Sequence, residues 1–203
     1  MAPPQSPPPE AIRPGIDLYW IPLGAGGNGF VRGNGRMYEA GKARLEKRRP
    51  LALLHTALAV ETERGRFVVE NAWPSPDAET GARGVVLEGP VFSRRLARFR
   101  PFRYEVRVWR NGVIADVAAA VGGPRSLSAD PLLAEHLLDL AAGVPALIWG
   151  RDELRAGEMW NSNSVIAWLL TRGGLPVDEI RPPDGCRAPG WQSGILAARL
   201  PAP

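Results

Sequence analysis

Four small polar residues in a row, Asn161-Ser162-Asn163-Ser164, stand directly ahead of the apolar run Val165-Ile166-Ala167-Trp168-Leu169-Leu170. Asn and Ser are preferred helix N-caps, because their side-chain oxygens accept from N–H groups that the first turn leaves unpaired. Val165, Trp168 and Leu169 fall at i, i+3 and i+4, on one face of a helix. Gly173-Gly174 stops it. The spacing therefore predicts a core helix over about 160–170 with a hydroxyl cluster at its N-terminus. Such an end offers free N–H donors and favours developing negative charge. Ser162 is thus the candidate nucleophile of an acyl-transfer site, with Asn161 and Asn163 as candidate oxyanion or supporting groups. The competing reading of the same four residues is good capping and nothing more.

A serine hydroxyl is unreactive without a base within hydrogen-bond reach. The sequence has only two histidines, His55 and His136. His136 stands between Glu135 and Leu137, off the apolar face of its helix, and is expected to be exposed and inert. His55 lies inside Leu51–Glu61, an almost wholly apolar strand-like run. A buried imidazole must satisfy its ring nitrogens. An acceptor on one nitrogen would fix the tautomer and leave the other as a base. Glu70 and Asn71, on the expected return strand, are the candidate orienting residues, with Glu61 a further possibility. A histidine satisfied by backbone groups is the plainer alternative.

A strand-borne His, a polar residue on the next strand, and then Asn-nucleophile-Asn-Ser opening a helix resembles the circularly permuted NlpC/P60 superfamily of papain-like enzymes. That superfamily includes the lecithin:retinol acyltransferase-like proteins. The resemblance runs over about Leu51 to Leu170 and is carried by Leu54-His55-Thr56-Ala57-Leu58 and Asn161-Ser162-Asn163-Ser164. It implies an antiparallel sheet packed against helices. It also implies hydrolysis or transfer of an acyl group from an amide, ester or thioester, with His55 as base and Ser162 where the family has Cys. The serine is a departure. A thiolate is a nucleophile near neutral pH, whereas serine needs its base during attack. The alternative implied is therefore an inactive relative used as a binding module. The Met159–Ser164 stretch also resembles an uncharacterised actinobacterial family, which implies no activity.

Other chemistry finds less support. Gly24-Ala25-Gly26-Gly27-Asn28-Gly29 has the form GxGxxG, but no helix-like pattern opens at its third glycine, so a glycine-rich loop is expected. No metal-ligand spacing exists, and neither a metal nor a cofactor is expected. Cys186, the one cysteine, lies in a Pro/Gly-rich loop with nothing to activate it. Arg94, Arg95, Arg98, Arg100 and Arg103 alternate with Phe92, Phe99, Phe102 and Tyr104. Single-stranded nucleic acid favours such a pattern, yet a half-exposed strand gives the same look, and a solvated arginine-rich surface is the expectation. A small-molecule or peptide ligand is the expected partner, with nucleic acid disfavoured.

The elements that must position these residues follow from the remaining chain. Its 203 residues, 45% of them hydrophobic, carry a net charge of +4. A chain of this length buries roughly 70% of its unfolded surface and needs no staples. Residues 1–14 are rich in proline and are expected to form a disordered tail ahead of one α+β domain over 15–203. Ile16–Leu23 reads as a strand. Arg36–Arg49 reads as a helix ended by Pro50. Leu51–Glu61 and Arg66–Asn71 form a hairpin about Glu63-Arg64-Gly65. Arg103–Arg110 alternates, with Tyr104, Val106 and Val108 inward and Arg103, Glu105 and Arg107 on a wet face. Asn111-Gly112 is a hairpin-type turn. Asp130-Pro131 opens a helix to about Ala142. Gly194–Leu200 is a short terminal element. No run of about 18 apolar residues and no secretory leader are present, so a cytoplasmic protein is expected.

Overall fold

The computed structural model describes residues 13–25, 39–74, 84–114 and 116–201. The proline-rich stretch 1–12 and most of the glycine-rich stretch lie outside the described residues. Six strands form an antiparallel sheet in the order β4-β5-β3-β2-β1-β6. They are β1 (Gly15–Pro22), β2 (Ala52–Thr62), β3 (Gly65–Ala72), β4 (Val85–Pro90), β5 (Arg103–Arg110) and β6 (Arg125–Ser128). A seventh, β7 (Cys186–Arg187), adds two residues parallel to Ala52 and Leu53 of β2. Helical residues 39–45 form α1. Helices α2 (Pro131–Leu140), α3 (Ser162–Arg172) and α4 (Trp191–Arg199) follow. The chain is thus an α+β protein with its helices packed against an antiparallel sheet.

Strand parity sorts the two faces of the sheet. Ile16, Leu18 and Trp20 of β1 pair with Val60, Leu58 and Thr56 of β2. All but Thr56 belong to the main hydrophobic core, together with Val69, Tyr104, Val106 and the buried apolar residues of α2, α3 and α4. The alternate residues Ile21, Ala57, Ala59 and Val68 pack with Ile114 in a smaller core on the opposite face. Helix α3 lies in the main core, with every residue from Ser162 to Leu170 buried. Each of its large aliphatic side chains contributes about 1.5–3 kcal/mol by leaving water, which accounts for a helix apolar nearly all round.

The N-terminus of α2 forms as the sequence requires. Asp130 Oδ1 accepts from Leu132 N at 2.9 Å and Leu133 N at 3.4 Å, and Pro131 occupies the first turn, where its missing N–H costs nothing. Two expectations need correction. Asn111-Gly112 ends β5, but the next strand, β6, pairs with β1 at the far side of the sheet, so no hairpin forms there. The expected wet face of β5 is dry beyond Arg103: Glu105 is fully buried and Arg107 is 6% exposed. The cause is charge pairing. Arg107 donates to Glu105 Oε2 at 2.7 Å, Glu70 Oε1 at 3.1 Å and the Trp73 carbonyl at 2.7 Å, which makes its burial tolerable.

The β2–β3 ladder runs from Thr62↔Gly65 to Leu58↔Val69 and stops. Both strands continue, β2 along β1 to Leu54 and β3 along β5 to Ala72. The two central strands therefore part, and the N-terminus of α3 sits at that end of β2.

Candidate functional site

The start of α3 is a capping box. Asn161 Oδ1 accepts from Asn163 N at 2.9 Å, and Asn161 N donates to Ser164 Oγ at 3.1 Å. The remaining polar atoms reach outward. Asn161 Nδ2 donates to the Pro189 carbonyl at 2.9 Å. Asn163 Nδ2 donates to the same carbonyl at 2.8 Å and to the Leu54 carbonyl at 2.9 Å. Asn163 Oδ1 accepts from Thr56 Oγ1 at 3.0 Å. Ser164 Oγ donates to the Gly190 carbonyl at 2.7 Å. Three of the four polar residues are thereby spent on tying α3 to β2 and to the loop that opens α4.

That loop is held from the other side by Glu158. Its carboxylate accepts from Gly190 N at 2.9 Å and Gln192 N at 3.3 Å, and pairs with Arg187 at 3.2 Å. A carboxylate at a helix N-terminus is the favourable sign for the helix dipole, and it replaces the side-chain cap that Gly190 lacks. Gly190 itself has φ +89°, and a Cβ there would stand 2.5 Å from Asn161 Oδ1. Only glycine fits so close to the capping box. Sequence reasoning did not single out Glu158 or Gly190, because no local pattern links either to a helix start about 30 residues away.

Ser162 is 7% exposed, and its hydroxyl makes no hydrogen bond among the described residues. Its expected base is elsewhere. His55 pairs with Ile21, on the face of the smaller core. Thr56, on the helix face, is the β2 side chain that meets α3. In a strand without a bulge, successive side chains point to opposite faces, so the sheet stands between the imidazole and Ser162. Strand parity therefore speaks against the expected Ser162–His55 pairing, and no hydrogen bond joins the two among the described residues. Burial holds the His55 pKa below its ordinary 6.5, and Asp116 opposes this in part.

The two candidate orienting residues divide in the same way. Glu70 shares the His55 face of the sheet but is bound to Arg107. Burial raises its pKa, Arg107 opposes the rise, and Glu105 adds to it. Asn71, opposite Val106 of β5, is on the helix face. It is 8% exposed, and its Nδ2 and Oδ1 form no hydrogen bond among the described residues. Neither residue completes a relay, since the one on the side of His55 is engaged and the other is on the side of Ser162.

Aromatic side chains, most of them buried, pack in the core around the start of α3. Trp20 and Trp191 contact at 5.2 Å between ring centroids. Trp149 touches Tyr104 at 5.7 Å and Trp73 at 5.9 Å. Tyr104 donates its hydroxyl to the Leu147 carbonyl at 3.0 Å, and burial pushes its pKa up to about 12. Among the described residues, no carboxylate or imidazole is hydrogen-bonded to Ser162. Among the described residues, no three His, Cys, Asp or Glu side chains converge as a metal centre requires, and no helix is long and apolar enough to cross a membrane. Comparison with protein-family models, with curated proteins and with solved structures finds no match to this chain.

Proposed function

We propose that the protein is a non-catalytic binding module, built on a scaffold of the permuted papain-like kind in which the segment that opens the central helix serves structure. The parity of β2 carries this reading. A nucleophilic serine needs its base at hydrogen-bond distance, and β2 turns His55 away from α3 while turning Thr56 towards it. Thr56, Asn163 and Asn71, polar side chains on the helix side of the sheet, do not take up protons near pH 7. The side-chain amides that could serve an oxyanion are also committed: Asn161 and Asn163 spend theirs on the carbonyls of Leu54 and Pro189.

The hydrolase or acyltransferase reading has a direct test. The native chain is treated with a fluorophosphonate probe beside its Ser162→Ala and His55→Ala variants. The module reading expects no labelling that depends on Ser162. Labelling of the native chain that disappears in both variants would establish a Ser–His site and remove the proposal.

A further inference from the structure

The arginine-rich stretch around Phe99 is open to a plain explanation from sequence, namely the solvent side of a half-buried strand. The structure withdraws that explanation. Of these arginines only Arg103 belongs to β5; residues 92–102 leave the sheet as a ledge that includes two short 3-10 turns, Leu96–Arg98 and Arg100–Phe102. Phe92 N donates to the Trp149 carbonyl at 3.1 Å, and Arg151 Nε donates to the Phe92 carbonyl at 2.7 Å. Arg103 Nε donates to the Ala97 carbonyl at 2.6 Å. The ledge is thus fastened at its base, and most of its side chains face water.

Two aromatic rings are presented there at a cost that a folded surface ordinarily avoids. Phe92 is 56% and Phe99 49% exposed. Arg98 lies over the Phe99 ring at 4.6 Å. Arg95 and Arg98 are exposed and pair with no carboxylate among the described residues. Beside them is a groove of about 290 Å³, lined by Glu88, Gly89, Pro90, Arg94, Ala97 and Arg103. Arg94 reaches Glu153 at 3.3 Å and Arg103 reaches Glu88 at 2.8 Å. Exposed ion pairs of this kind contribute little, so both guanidiniums remain open to exchange for a stronger anion.

The required occupant is polyanionic, to meet the arginines, and carries flat apolar faces, to cover the two rings. An acidic peptide meets the arginines but covers the rings only at those positions where it happens to carry aromatic side chains. A duplex hides its base faces. Single strands supply both, because every unpaired base offers a π-face to an aromatic side chain. We propose that this ledge binds single-stranded nucleic acid. Phosphates lie in the groove between Arg94 and Arg103 and against Arg95 and Arg98, and bases stack on Phe92 and Phe99. The inference goes beyond the module reading and does not depend on the state of Ser162.

The test is fluorescence anisotropy of a labelled 20-nucleotide oligothymidylate with the full chain. About three phosphate contacts give a salt slope near −2, so a fourfold rise in salt should weaken binding roughly 20-fold. Phe92→Ala and Phe99→Ala should each weaken it roughly fivefold or more. The double variant Arg95→Glu/Arg98→Glu should weaken it further and flatten the salt slope. These positions are exposed, so an unchanged unfolding midpoint separates lost binding from lost fold. Absence of binding at 50 mM salt would overturn the proposal. So would binding that ignores both Phe variants and is displaced equally by duplex DNA and by heparin, which is adsorption of any polyanion.

Discussion

Thr56 Oγ1 donates to Asn163 Oδ1 at 3.0 Å across the seam between β2 and α3. The bond joins residues 107 apart in sequence, both buried. It also shows why the segment 161–164 is so polar. At this end β3 no longer pairs with β2, and the Leu54 carbonyl would be left without a donor. Asn163 Nδ2 supplies one. Its amide does for the strand what a neighbouring strand does elsewhere in the sheet, satisfying a buried backbone group that would otherwise cost free energy.

Asn163→Ala should therefore be far more damaging than Ser162→Ala. The first substitution orphans the Thr56 hydroxyl and the Leu54 carbonyl. Each buried unsatisfied group costs about 1–3 kcal/mol, so a loss of about 2–6 kcal/mol is expected. The Pro189 carbonyl keeps a donor from Asn161. The Ser162 hydroxyl has no partner to lose, and its removal should change stability by less than about 0.5 kcal/mol, as at a site where none of the large mechanisms acts. Urea denaturation of the three proteins checks the order. Equal losses would mean that the Ser162 hydroxyl is bound after all.

His55 should make stability fall on acidification. Burial lowers its folded-state pKa below 6.5, with Asp116 opposing. In the window between the folded pKa and 6.5, the unfolded chain binds the proton and the native chain does not, so stability is complete above 6.5 and declines as pH falls below it. Urea midpoints measured from pH 7.5 to 5.5 should show this decline in the native chain and a flatter one in His55→Gln. Asp116→Asn removes the opposing charge and should steepen it. A His55→Gln profile that parallels the native one would place the titration on other groups.

The reach of the sequence differs among these elements for physical reasons. Helix α3 and its Asn161 cap are legible because Asn and Ser before an apolar run admit few other structures. The Asp130-Pro131 start of α2 is legible for the same reason. The hairpin about Glu63-Arg64-Gly65 forms as spaced, with Gly65 at φ +115°. Parity of β2 is not legible. Leu54, Leu58 and Val60 face one core and Ala57 and Ala59 the other, so the strand has no polar alternation to show which side His55 takes. The alternation of β5 misled for the opposite reason. Arg107, Glu105 and Glu70 look like solvent-facing charges one at a time, and only the register Glu70↔Arg107 reveals that they bury one another.

That buried group gives the last expectation. Arg107 faces two carboxylates, Glu105 at 2.7 Å and Glu70 at 3.1 Å. Burial disfavours the ionised form of Glu70 more than Arg107 favours it, and Glu105 adds repulsion. The raised Glu70 pKa expresses this. A carboxyl whose folded pKa lies above its unfolded value of 4.5 favours the fold below 4.5, and this contribution is lost as pH rises through the folded pKa. At pH 7 the ionised Glu70 is therefore a net cost. Glu70→Gln keeps an oxygen to accept from Arg107 Nη1 and removes the charge, so the variant should be at least as stable as the native chain at pH 7, with the difference shrinking towards pH 4. Arg107→Leu does the reverse. It removes the cation that Glu70 and Glu105 share in a buried place and should cost about 3–5 kcal/mol. Chemical denaturation at the two pH values distinguishes the cases. If Glu70→Gln proves as damaging as Arg107→Leu, the two carboxylates share the arginine equally and the net cost assigned to Glu70 is wrong.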